Sequence, residues 1–320
     1  MSFQLYKIRN FNDLINDTFA FFKEEGKNYF RNYFIINGIL LLVLVILMFF
    51  VGRVFFENFL NGVNSPGRND SEAFFAQFFG ENIGFFVGTG IAGILLILLI
   101  SLISYSYPVV YLIFTEQKIV PDNTQVRALL LRKTGKAILF GLLALVTFLP
   151  LAIILGLFSI VLFVTIIGIP VAIGLFAAFS CWSTLTFYDY LSTNNGFFSA
   201  MGNGWRLLFK NFWVNIGATA VLYIILYVIQ GIISMIIYTI GTFVFIVDTD
   251  TSSPDPTAMM GTLGVLMMIV FLVSTVFSYF ITNLLMVNQG LIYYSGREQE
   301  ENKATYSEID LIGNDFETED

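Results

Sequence analysis

The sequence predicts an all-α integral membrane protein with six transmembrane helices and three cytoplasmic interfacial amphipathic helices. Three observations carry that prediction. The chain is 57% hydrophobic and only 12% charged, whereas an ordinary soluble domain carries roughly 25% charged residues. Several uncharged runs exceed the ~20 apolar residues that a spanning helix needs. All of the 16 Lys and Arg residues except Arg53 and Arg68 fall on one side of the bilayer in a six-span reading. Cytoplasmic loops keep such an excess of Lys and Arg, so this side is the cytoplasm. An even number of spans then places both termini there.

Taken in order, residues 11–33 read as the first amphipathic segment. Asn12 or Asp13 can cap it, and Phe11, Leu14, Ile15, Phe19 and Phe22 fall near one face. Lys23, Lys27 and Arg31 follow on the way into span one, at about 34–56. Residues 57–82 read as a polar outer loop with the turn signal Ser65-Pro66-Gly67. Span two covers about 83–114, and Gly84, Gly88 and Ala92 recur along it at four-residue spacing, a pattern that lets another helix approach. Pro121-Asp122-Asn123 starts a second basic amphipathic helix over 122–134.

Residues 137–188 hold no charge, and 52 residues are too many for one span, so spans three and four lie here. Gly168-Ile169-Pro170 is the preferred outer turn, and a turn near Gly156 competes with it. The third amphipathic segment is 197–210. Span five covers about 212–246 and span six about 261–294, separated by the breaker Pro254-Asp255-Pro256. The organisation is therefore a segment 1–33, a membrane domain 34–295 and a tail 296–320. Nine of the 23 acids follow Tyr294, so the tail reads as acidic and disordered.

Composition also excludes chemistry. The chain has no His and one Cys, Cys181, so it has no imidazole base, no His metal ligand and no internal disulfide. No catalytic set, cofactor site or metal site is expected. A nucleic-acid partner would need a concentrated basic patch, which is missing. The expected partners are the bilayer, its anionic headgroups and a membrane-protein partner. A chain rich in Phe, Asn and Ile without His points to a bacterial cytoplasmic (inner) membrane.

Three junctions share a pattern of Lys before a span: Gly26-Lys27-Asn28-Tyr29-Phe30, Gly135-Lys136-Ala137-Ile138-Leu139 and Phe209-Lys210-Asn211-Phe212-Trp213. They read as a threefold repeat of interfacial helix, span, span. Lys and aromatics at any cytoplasmic junction are the plainer account.

At 197–213 the third junction resembles a segment of a broad bacterial superfamily of six-span membrane proteins. That superfamily includes the membrane domain of some glycerophosphoryl diester phosphodiesterases. Ala200, Trp205, Leu207, Lys210, Asn211, Phe212 and Trp213 match its pattern. A Ser usually precedes the Trp, and Gly204 stands there in this chain. No phosphodiesterase domain accompanies the match, so the resemblance implies an architecture and not hydrolysis.

No Asp, Glu, Lys or Arg falls in the middle of a proposed span. Charges there mark proton relays and ion paths. The nearest carboxylates, Glu116 and Asp189, are expected at helix ends where water solvates them. Asn37, Ser104, Tyr105, Gln230 and Asn283 are the candidate cavity-lining polar residues, with interhelical hydrogen bonding as the structural alternative. Lys27, Lys136, Trp205, Lys210 and Trp213 are the expected interface anchors. The expected function is that of a non-enzymatic scaffold or membrane-organising component. The alternative is a permease or channel for a small or lipid-like solute, not proton-coupled.

Overall fold

A computed structural model describes residues 3–63, 71–248 and 256–302, and no strand occurs among them. Seven helices follow one another: α1 (Phe11–Val63), α2 (Ser71–Glu116), α3 (Asn123–Phe163), α4 (Gly168–Ser192), α5 (Phe197–Lys210), α6 (Phe212–Asp248) and α7 (Pro256–Glu301). All except α5 are long and apolar enough to cross a membrane. The Ser65-Pro66-Gly67 turn, most of the Pro254 breaker and residues 303–320 lie outside the described residues.

The helices are longer than the spans predicted for them. α1 runs 53 residues without interruption, about 80 Å at 1.5 Å per residue, against a hydrocarbon core of about 30 Å. Residues 11–33 are thus the first part of α1 and not a separate helix. They contain no proline to break the hydrogen-bond ladder. The same holds for 122–134, which opens α3. Asp122 caps that helix as predicted: its carboxylate accepts from Gln125 N at 2.7 Å, and Gln125 Oε1 accepts from Asp122 N at 3.0 Å. Only α5 stands apart as a short helix. It buries Phe197, Ala200, Gly204, Leu207 and Leu208, a spacing that puts them on one face. At the other ends, α1 and α2 extend into the predicted 57–82 loop, and α7 continues past 296 to Glu301.

The turn between α3 and α4 is Val164–Ile167, so the expected turn residues Gly168-Ile169-Pro170 instead open α4, with Pro170 in its first turn. Proline is tolerated there because the first N–H groups of a helix lack intrahelical acceptors. Gly156 lies inside α3. The α2–α3 turn closes on Lys118 at φ 57°. Ile119 N donates to Phe114 O at 3.0 Å and Lys118 N to Thr115 O at 3.0 Å, the paired bonds that satisfy the last carbonyls of a helix.

The chain divides into two compact units: one from the described parts of Met1–Ile36, Leu102–Ile225 and Thr282–Asp320, the other from Asn37–Ser101 and Leu226–Ile281. In the first, α4 packs against both α3 and α5. Phe148, Tyr190, Phe197 and Ala200 form the shared core, with Phe140, Phe179 and Trp182 at its edge. In the second, close approach occurs at glycines other than those predicted. Gly93 meets Leu47, Gly241 meets Leu266, and Gly52 meets Met268. Gly84 and Gly88 face no described atom within 4 Å, so the predicted stripe is not a packing seam there. Gln230 donates to Ser274 O at 3.5 Å, and Ser234 and Ser274 share a hydrogen bond at 3.1 Å.

Candidate functional site

The last third of α7 is the centre of the first unit. Met286–Gly296 is buried at every position, which an amphipathic surface helix never is. Two glycines thin the helix where neighbours press on it. A Cβ on Gly290 would lie 2.3 Å from Leu112 Cδ1 and 2.8 Å from the Tyr188 hydroxyl. A Cβ on Gly296 would lie 2.9 Å from Leu207 Cδ2.

Between these contacts the helix makes hydrogen bonds in several directions. Asn288 Nδ2 donates to Leu14 O at 3.1 Å and Thr18 Oγ1 at 3.0 Å. Gln289 Nε2 donates to Thr219 Oγ1 at 2.8 Å. The Tyr188 hydroxyl donates to Met286 O at 2.6 Å, and Arg9 N donates to Ser295 Oγ at 2.9 Å. Burying a polar group without a partner costs about 1–3 kcal/mol, so each pairing fixes a register. Together these contacts tie α7 to α1, α4, α6 and the segment before α1.

Three charges sit around this hub: Asp189 and Arg9 are buried, and Glu116 is partly so. Asp189, near the end of α4, is buried at 5% exposure. Its Oδ2 accepts from Asn195 at 2.8 Å and Asn203 at 2.9 Å, and its Oδ1 from the Tyr293 hydroxyl at 3.2 Å. The expectation that water solvates Asp189 is therefore wrong. It lies at a helix end, but α5 and α7 close over it. Glu116 ends α2 and accepts from Tyr6 at 2.9 Å and Tyr294 at 3.1 Å. Burial, reinforced by the Glu116 charge, pushes the Tyr6 hydroxyl well above its usual range, so it stays protonated and donates.

The third charge is Arg9, whose side chain is fully enclosed. Its guanidinium donates to Leu5 O at 2.6 Å, Gln4 O at 2.6 Å and Asp17 Oδ2 at 2.9 Å. Burial pulls the Arg9 pKa down, and Asp17 opposes the shift. Residues before α1 are thereby wrapped around a cation and fastened to Glu116 and Ser295.

A tyrosine ladder completes the enclosure. Tyr29, Tyr33, Tyr107 and Tyr111 are all fully buried, with Tyr29 and Tyr107 edge to face at 4.9 Å. Tyr29 donates to Asn283 Oδ1 at 2.8 Å, Tyr107 to Tyr29 O at 2.5 Å, and Tyr33 shares a hydrogen bond with Ser104 at 2.9 Å. A buried tyrosine takes a partner for its hydroxyl while the ring packs.

Of the predicted cavity-lining residues, Ser104 and Asn283 meet this ladder. Asn37 is buried, Gln230 pairs within the second unit, and Tyr105 is exposed. The predicted anchors divide as well. Lys27, Trp205 and Trp213 are exposed, Trp213 at 81%. Lys136 instead reaches Thr193 O at 3.0 Å, and Lys133 donates to Leu191 O at 2.5 Å. Both cations cap the carbonyl end of α4, where the helix dipole favours positive charge. Lys210 lies 3.6 Å and Arg206 3.2 Å from Glu300.

The enclosed Arg9, Asp189 and the α7 hub were not anticipated. The available signals were the pairs Asn288-Gln289 and Tyr293-Tyr294 inside an apolar run. Among the described residues no three carboxylates or thiols converge as a metal site would require. Asp189 faces two amides and a hydroxyl, and Glu116 faces two tyrosine hydroxyls. Compared with known protein families, curated proteins and solved structures, the chain matches none. The resemblance over 197–213 therefore rests on those residues alone. Within that segment α5 comes close to α4 at Gly204, where a Cβ would lie 2.8 Å from Thr186 N.

Proposed function

We propose that this multi-pass membrane protein is a non-enzymatic scaffold or membrane-organising component. Its termini lie on the cytoplasmic side of a bacterial inner membrane, and the hub around α7 lies near that side. The observation that carries this reading is the commitment of Asp189, Glu116 and Arg9 to fixed partners. A carboxylate held by three donors is a structural pin; a proton carrier must change partners as it titrates. The 197–213 resemblance and the repeated Lys junctions fit the same architecture, with α5 and the opening turns of α1 and α3 at the headgroup level.

Purified protein in liposomes tests the activity. No solute should cross or accumulate under a pH gradient, and uptake lost in Asp189→Asn would replace the scaffold with a proton-coupled carrier. Orientation is tested on intact cells, where buried Cys181 gives a silent background. Ile166→Cys, in the outer turn, should react with an impermeant thiol reagent added outside, and Lys118→Cys should not. The reverse pattern would invert the topology.

A further inference from the structure

We propose that the outward face of the first part of α1, carrying Lys23, Lys27 and Arg31, binds the headgroups of anionic phospholipids. The proposal deepens the membrane-organising reading and rests on it. The three cations recur every four residues, and all are exposed. None of them makes a hydrogen bond or ion pair with a described residue. At about 100° per residue, Phe19, Phe30 and Phe34 fall within the same third of the helix surface. Phe19 is 41% and Phe34 48% exposed. Glu24 is the exposed acid beside the stripe, while Glu25 turns inward and accepts from the Tyr111 hydroxyl at 3.2 Å.

Free cations interleaved with exposed phenylalanines suit a lipid boundary. Ammonium and guanidinium groups reach phosphates on flexible stems, and the rings enter the acyl edge. Just beyond Arg31 the exposed residues become apolar, with Phe34, Ile35 and Ile39, which sets the headgroup level at this stripe.

Much of the remaining basic excess is paired within the protein. Lys133 and Lys136 cap α4, Arg206 and Lys210 face Glu300, and Arg9 is enclosed. Arg127 and Arg132 are exposed, but five residues apart they point about 140° from each other. The structure thus selects α1 from three basic segments that look alike in sequence.

The test uses the full chain in mild detergent, offered equal phosphatidylglycerol and phosphatidylcholine, with retained lipid quantified by mass spectrometry. Each cation near an anionic surface gives about a fivefold preference, and Glu24 offsets part of it. With Glu24 cancelling one of the three cations, the unaltered protein should retain phosphatidylglycerol roughly 25-fold over phosphatidylcholine, less at high salt. Lys23→Gln/Lys27→Gln/Arg31→Gln should bring the ratio close to one, and Arg206→Gln/Lys210→Gln should leave it unchanged. An unchanged ratio in the triple variant would overturn the proposal. So would equal loss in the double variant, or displacement by millimolar glycerol phosphate, which would indicate a site for free phosphate. Solute flux in the liposome assay would sink the scaffold reading without moving the lipid ratio, so the two failures are distinguishable.

Discussion

Two stretches of the first unit invert the usual relation between apolarity and burial. In α3, from Ile138 to Phe163, most large apolar side chains are exposed, Val146 at 74%. In α7, Met286–Gly296 is buried throughout although it carries Asn288, Gln289, two tyrosines and Ser295. In water the first would be the core. In a bilayer lipid tails are as apolar as leucine, so apolarity alone draws no helix inward. Hydrogen-bonding groups and small residues decide the interior, because lipid offers a polar group no partner.

The sharpest attempt to break this contrast removes a pin. Asp189→Ala leaves Asn195, Asn203 and Tyr293 without their acceptor. It should lower stability in detergent by about 4 kcal/mol, read as a fall in thermal unfolding temperature. An unchanged transition would mean that water replaces the carboxylate and the hub is not sealed. Next comes a matched truncation. Leu291→Ala, at 0% exposure, should cost about 2–4 kcal/mol through the cavity it opens.

Gly204→Ser puts a side chain against the Thr186 backbone. It should cost about 1–3 kcal/mol by overpacking. Gly202, with nothing within 4 Å, should accept the same change with little loss. If Gly204→Ser is also silent, α4 and α5 are not in close contact. The smallest effect is expected for Leu145→Ala on α3, where detergent replaces lipid and the change should stay within about 0.5 kcal/mol.

Long apolar runs and the cap signal at Asp122 were enough to read six long helices and the start of α3, whereas the α3–α4 turn falls just before the expected Gly168-Ile169-Pro170, which opens α4. The continuity of α1 was not legible. Gly26-Lys27-Asn28 looks like a junction, yet Asn28 Nδ2 donates to Pro121 O at 3.1 Å while the α1 ladder continues. The enclosure of Asp189 was also hidden. One of its donors, Tyr293, is 104 positions away, and a charge at a helix end looks the same whether water or protein covers it. The split of Lys and Arg along the chain is a count of charges alone. It could not show that Lys133 and Lys136 serve the end of α4.

The hub also has a place in time. Asn283, Tyr293, Tyr294 and Ser295 come after Tyr29, Asp189, Glu116 and Arg9, the groups they meet on earlier elements. A chain emerging from the ribosome must thread five spans before Tyr293 and Tyr294 exist to satisfy Asp189 and Glu116. Until then those carboxylates need water or a helper protein. The final helix therefore acts as a keystone, and the hub closes only when synthesis is nearly complete.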